Sequence, residues 1–341
     1  MKIAIIVNPL IPVPPEKYGG IERIVYMLIQ ELIAKGHDVT LYANERSKPG
    51  CALVGYHESD HYGLPDMIRI NALTSKIAFK KFDVIHTFGR MSNIALLMLS
   101  KLPKVVSYQL QPTLSQVKKV IKFAREGSVH FTGCSDYISN QIVPYAPVTT
   151  IYNGVDTAEY TFTPAVADDA PLVFLGRIQK EKGTDIAIQT ALATGRKLVI
   201  AGNVPDETIH QAYFEEKVKP FIDGKQVTYI GPVNNSQKNE LLGAAAAFLM
   251  PVTWDEPFGI VMAEALACGT PVIGFKRGSV PEVVQHGVNG FLCDTREEMA
   301  AFAKDIPKIN RADCRRIAEG KFSSDTIGNQ YEELYKRMVA K

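Results

Sequence analysis

The chain has 341 residues, 46% of them hydrophobic and 22% charged, with a formal net charge of +2. That balance is ordinary for a soluble globular protein long enough for two domains; it excludes a disordered chain, and so small a charge gives no ground for a nucleic-acid partner. No apolar run reaches the roughly 18–20 residues of a bilayer span. The start, MKIAIIVNPLIP, reads as a first buried strand and not as a signal peptide. In chain order, strands are predicted at 2–8, 38–43, 83–87, 104–108, 129–133 and 148–152, then at 172–176, 197–202, 226–230, 247–250, 271–275 and 290–293. Amphipathic stretches at 21–35, 93–101, 183–194 and 236–244 lie between them, and such alternation predicts α/β architecture with parallel sheets covered on both faces. Twelve strands are many for one sheet of this type, so two doubly wound domains are expected. The turn dipeptide Asn153-Gly154 opens an aperiodic linker at 153–171. A last helix at 324–339 carries Ile327, Tyr331, Leu334 and Tyr335 at helical spacing. The five cysteines (Cys51, Cys134, Cys268, Cys293, Cys314) are odd in number and lack metal-ligand spacing, which reads as a reduced, cytoplasmic chain.

The densest chemistry lies in DEPFGIVMAEALACGTPVIGFKRGSVP, residues 255–281. An acidic loop at Asp255 and Glu256 is broken by Pro257; a helical run at 259–268 follows, stopped by Gly269, and then an apolar strand. Gly259 lets a ligand approach the main chain closely, and the first amides of the helix have no partners inside it. Glu264 sits on the helix, eight positions after Glu256. A carboxylate in the loop and another on the helix would hold hydroxyls on either side of a bound phosphate, which suits a nucleotide sugar. Upstream, in FLGRIQKEKG, Arg177 follows a strand at its carboxyl end, where ligands of open α/β sheets bind. Lys182 lies five residues on, beside Gly183. Two cations flanking a strand–helix turn make a clamp for a diphosphate, the arginine bonding two oxygens and the lysine acting as a compact charge.

The 255–281 segment resembles the two-glutamate motif of retaining glycosyltransferases of family 4, which have the GT-B fold: two Rossmann-like domains with a cleft between them. The resemblance implies an acceptor-binding domain at 1–155, a nucleotide-sugar domain at 156–323, and a terminal helix at 324–341 packing back on the first domain; the string IYNGVD resembles the segment where the family's chain crosses over. It also implies roles. Glu256 bonds a hydroxyl of the donor sugar, the amides of Phe258 and Gly259 face that sugar, and those of Ile260 and Val261 meet the distal phosphate. Glu264 accepts from the ribose hydroxyls, while Arg177 and Lys182 match the family's phosphate-binding pair. YIGPV, from Tyr229, matches the loop that lines the base, through Ile230 and Val233. In PPEKYGGIERI, Gly19 and Gly20 resemble the N-terminal glycine loop that faces the donor phosphates.

Elsewhere the chain departs from its relatives. In KVVSYQLQPT, Gln109 occupies the place of a histidine that many members turn to the transferred sugar; it can donate or accept a hydrogen bond but cannot carry a proton charge. His86, in DVIHTFGR, is the alternative sugar or acceptor contact, with a satisfied structural histidine as its competing reading. Lys118, Lys119, Lys122 and Arg125 form a basic cluster that, on a helix, would meet an anionic acceptor or a membrane surface; a solvated helix face is the plainer reading. The histidines show no zinc pattern, and there is no Asp-any-Asp triplet, so a metal-independent reaction without a cofactor is expected. No Gly-any-Gly-any-any-Gly follows the first strand, which disfavours a dinucleotide cofactor.

The expected function is transfer of a hexose, with retention, from a nucleoside-diphosphate sugar (UDP-glucose or similar) to a hydroxyl of a small-molecule acceptor by a front-face route. The Trp254-Asp255-Glu256 lead-in, KRGSVPE and PPEKYGGIE look most like a branch that glycosylates pterins and antibiotics. The alternatives are a lipid or polysaccharide acceptor at the membrane surface, for which the basic cluster argues, a nucleotide-sugar 2-epimerase, and a nucleotide-sugar sensor without turnover. The oligomeric state is left open.

Overall fold

Short runs rich in Val, Ile and Leu, separated by amphipathic stretches, fold into two fully parallel sheets. The computed structural model describes residues 1–15, 19–57 and 62–340. The chain divides into two units, Met1–Gly154 with Ser324–Lys341, and Val155–Ser323.

In the first unit the strands are β1 Lys2–Ile6, β2 Asp38–Asn44, β3 Ala52–Tyr56, β4 Val84–Thr87, β5 Lys104–Tyr108, β6 Val129–Gly133 and β7 Val148–Thr150. Their order is β3-β2-β1-β4-β5-β6-β7. The interior strand β1 is buried from Ile3 onward, as expected where helices cover both faces. The helices are α1 Gly20–Ala34, α2 Leu64–Ser75, α3 Leu114–Phe123 and α4 Asp136–Ile142. Helix α1 buries Ile24, Val25, Leu28, Ile29 and Leu32, a single stripe at helical period.

Two elements of this unit differ from the sequence expectation. Strand β3 is an edge strand, with only Tyr56 buried, and is interrupted by Gly55, so its residues carry no continuous apolar run; only its register with β2 (Thr40 opposite Ala52) makes it a strand. The expected helix at 93–101 is a 3₁₀ run, Met91–Leu99, kinked at Ile94. The carbonyls of Ser92 and Asn93 accept from the side chains of Asn71 and Thr74 on α2, which takes them out of the helical ladder.

In the second unit the strands are β8 Leu172–Leu175, β9 Leu198–Ala201, β10 Val227–Tyr229, β11 Ala247–Met250, β12 Val272–Phe275 and β13 Gly290–Cys293, in the order β10-β9-β8-β11-β12-β13. The helices are α5 Thr184–Thr194, α6 Thr208–Tyr213, α7 Asn235–Ala244, α8 Ile260–Ala267, α9 Val280–Val283, α10 Arg296–Asp305 and α11 Arg311–Phe322. Strand order reverses between β8 and β11, so the loops leaving their carboxyl ends share one crevice, the usual ligand position in such sheets.

The last helix, α12 Ser324–Val339, belongs to the first unit. It buries Ile327, Tyr331, Leu334, Tyr335 and Met338. It lies tight on α1: a Cβ on Gly328 would fall 2.8 Å from the Glu31 Cβ. Lys35–Asp325 and His37–Glu332 contacts, each 3.1 Å, line the same seam. Among the described residues no helix is long and apolar enough to cross a membrane.

Candidate functional site

The loops after β8 and β11 are stitched together where the Thr253 amide donates to the Glu181 carbonyl at 2.9 Å. Glu256 is held from below. Gly278 turns at φ +55°, and a Cβ there would lie 2.3 Å from the Glu256 carbonyl oxygen, so only glycine fits without displacement. Ser279 then donates both its amide (2.9 Å) and its hydroxyl (3.0 Å) to that carbonyl.

The Glu256 carboxylate is buried and its Oε2 takes two donors. Lys182 Nζ, on the 3₁₀ turn Lys180–Lys182, donates at 2.7 Å, and the Trp254 indole N–H donates at 2.9 Å. The Lys182 ammonium also stands 4.7 Å from the centre of the Trp254 ring, within cation–π reach. Arg177 follows β8 and is half-buried.

Gly259 supplies the turn into α8. Its φ is +73°, and a Cβ on it would press within 2.8 Å of the Met250 methyl and 3.3 Å of the Glu256 Cγ. No side chain caps α8, so the amides of its first turn, at Ile260 and Val261, have no partner inside the helix. The Phe258 ring belongs to the core, edge-on to Phe322.

Glu264, one turn into α8, is buried as well. Its Oε1 accepts from the Tyr160 hydroxyl at 2.8 Å and from Lys238 Nζ on α7, and the Lys238 ammonium stands 5.5 Å from the Tyr160 ring centre. Just past β10, Ile230 is 47% exposed and Val233 is half-buried.

The remaining predicted residues lie in the first unit. Gly20 opens α1, and Gly19 before it is packed closely by Pro15 and Glu22; burial pushes the Glu22 carboxyl above its ordinary range. Residues 16–18 of that loop lie outside the described residues. Gln109, one residue past β5, is half-buried, and its Nε2 has no hydrogen-bond partner among the described residues.

His86 requires a correction. It is fully buried in β4, its Nδ1 bonded to the Tyr335 hydroxyl at 2.5 Å and its Nε2 to the Ser107 hydroxyl at 2.6 Å, with Phe88 and Tyr331 on its faces. Burial drives it down to about 3, so it is a neutral core group with both nitrogens engaged and no surface for a sugar. The basic cluster is also divided. Lys118, Lys119 and Lys122 are exposed on α3, with Lys118 4.2 Å from the Tyr145 ring centre, whereas Arg125 falls beyond the helix end and its amide bonds the Met98 carbonyl.

Trp254, Lys238 and Tyr160 were not singled out as site residues from sequence. Trp254 offered a signal, as the one tryptophan of the chain, two residues before Glu256. Lys238 and Tyr160 offered none, being 26 and 104 positions from Glu264. Among the described residues no group of three or more His, Cys, Asp or Glu side chains is placed to hold a metal ion.

Residues 159–319 match the family model described as "Glycosyl transferases group 1", and residues 18–159 match "Glycosyltransferase Family 4". The chain is similar to the "Putative glycosyltransferase YtcC" of Bacillus subtilis (strain 168), 25% identical over 343 residues, covering 90% of this chain and 83% of that protein. Its structure is similar to that of AviGT4, a glycosyltransferase involved in avilamycin A biosynthesis, at 25% identity and TM-score 0.71, covering 99% of this chain and 98% of that one. The fold is also that of Anabaena Alr3699/HepE in complex with UDP-glucose, at 18% identity and TM-score 0.76, covering 99% and 100%.

Proposed function

The chain is a glycosyltransferase of GT-B fold, of the group 1 and family 4-like type, and on that premise we propose that it moves a hexose from UDP-glucose or a similar nucleoside-diphosphate sugar to a hydroxyl of a small-molecule acceptor, with retention at the anomeric carbon. One observation carries this reading: Glu256, paired with Lys182, sits against the uncapped start of α8. A carboxylate for a sugar hydroxyl, a cation for a phosphate and a helix start for an anion are thereby gathered at the carboxyl edge of one sheet.

The hard step is departure of the nucleoside diphosphate, whose charge grows as the glycosidic bond breaks. Arg177, Lys182 and the amides of Ile260 and Val261 stabilise that charge in place, which acts chiefly on the transition state. Glu256 and the amides of Phe258 and Gly259 hold the sugar. Glu264 takes the ribose hydroxyls, and Ile230 and Val233 line the base. The first unit is assigned the acceptor. The acceptor hydroxyl enters on the face that the leaving group vacates, and the departing phosphate takes its proton. The UDP-sugar is a substrate, and the scheme needs no cofactor. HepE, held with UDP-glucose, supports the donor, and AviGT4, involved in avilamycin A biosynthesis, supports the likeness to the antibiotic branch.

A lipid acceptor is the second reading. Leu99 and Phe123 are more than 60% exposed and, with Ala124, Arg125 and Glu126, line a concavity of about 720 Å³ near the α3 lysines. Mass spectrometry of products from UDP-glucose and a panel of acceptors tests both readings. A glycosylated small molecule supports the first; product formed only with anionic vesicles supports the second. Nucleotide-sugar binding without product favours a sensor, and an isomerised sugar without acceptor favours an epimerase.

A further inference from the structure

Glu256 Oε2 receives two donors, from Lys182 and Trp254, whereas Oε1 has no protein partner among the described residues. The two donors are not equivalent. The Lys182 ammonium is a mobile point charge that a diphosphate competes for, while the Trp254 N–H is a neutral donor on a rigid ring with no other acceptor among the described residues. The same ring offers its face to Lys182. The Trp254 loop is tied to the Lys182 turn through Thr253 and Glu181. We infer that Trp254 is the positioning residue of this site: its indole N–H keeps Glu256 Oε2 anchored when Lys182 turns to the donor phosphates, so that Oε1 stays presented to the sugar. This rests on the functional reading above. It adds that the sugar carboxylate has an anchor independent of the phosphate cation, and that the aromatic face gives Lys182 a resting place between turnovers.

The test uses the full chain. Trp254→Phe keeps the ring face and loses the N–H, whereas Trp254→Leu loses both. A hydrogen bond to a charged group is worth enough to expect kcat with the UDP-sugar to fall about ten- to hundredfold in Trp254→Phe, with the Kd for free UDP changed by no more than about twofold. Trp254→Leu is expected to lose the same kcat and also to alter UDP binding. A merely structural role would move both quantities together with Tm. As the one tryptophan of the chain, Trp254 also reports directly: UDP is expected to shift wild-type emission as Lys182 leaves the ring, and Lys182→Met to abolish the shift. An active wild type matched in kcat by Trp254→Phe, or an emission spectrum unmoved by saturating UDP, overturns the role of Trp254 alone. A wild type that turns over no UDP-sugar overturns the functional reading and this inference with it.

Discussion

Glu256 and Glu264 are held by the same device built twice: a carboxylate oxygen shared by one lysine and one aromatic donor, with the lysine lying over that aromatic ring. The difference lies in what carries each lysine. Lys238 comes from the first turn of helix α7, its side chain 10% exposed, and reaches a glutamate on helix α8. Lys182 comes from a 3₁₀ turn, its side chain 17% exposed, and reaches a glutamate on a loop. A cation fixed on a regular element cannot leave a buried carboxylate without stranding it, whereas a cation on a turn can exchange one anion for another. On the proposed reading Lys238 is a brace for Glu264, and Lys182 with Glu256 is a working pair.

The comparison can be broken by experiment, beginning with the largest effect. Glu256→Ala is expected to lower kcat by about 10²–10³-fold while the Kd for UDP stays nearly constant; equal losses in both would remove Glu256 from the sugar. Lys238→Met strands Glu264 and is expected to cost about 3–5 kcal/mol by urea denaturation. Lys182→Met is expected to cost less than half as much stability and instead to weaken UDP binding about tenfold or more; matching stability losses in the two variants would erase the distinction between brace and working pair.

The first unit supplies a neutral counterpart. His86 is as buried as either glutamate but is bonded only to hydroxyls. Its value lies near 3 in the fold against an ordinary 6.5, so the unfolded chain takes up the proton first as pH falls. The stabilisation is therefore whole above about pH 6.5 and is lost on descending toward pH 3, at up to about 1.4 kcal/mol per pH unit. His86→Gln, which cannot titrate, is expected to show a shallower fall of stability over that window. The smallest effect is expected from EDTA, which should leave transfer intact because Arg177, Lys182 and the start of α8 are assigned the diphosphate charge; a strict divalent-cation requirement would count against that assignment.

Much of the fold was legible in the chain. The strands at 104–108, 129–133, 247–250 and 290–293 and the last helix fall where periodicity and apolar runs put them, because buried parallel strands need continuous β-branched and aliphatic stretches. The loop–helix segment that carries Glu256 and Glu264 was legible for a related reason: turn residues, helix start and spacing are all local. Strand β3 was not, since a half-exposed edge strand draws its identity from its neighbour.

Local order along the chain therefore determined two doubly wound parallel sheets and the short segment in which the two glutamates sit. Tertiary structure alone decided what those glutamates touch: Lys182 and Trp254 on one, Lys238 and Tyr160 on the other. It also decided that His86 is sealed between β5 and α12. The physical reason is range. Strand, helix and cap preferences act over a few neighbouring residues, whereas the partner of a buried charge is chosen by which distant element the sheet order brings beside it.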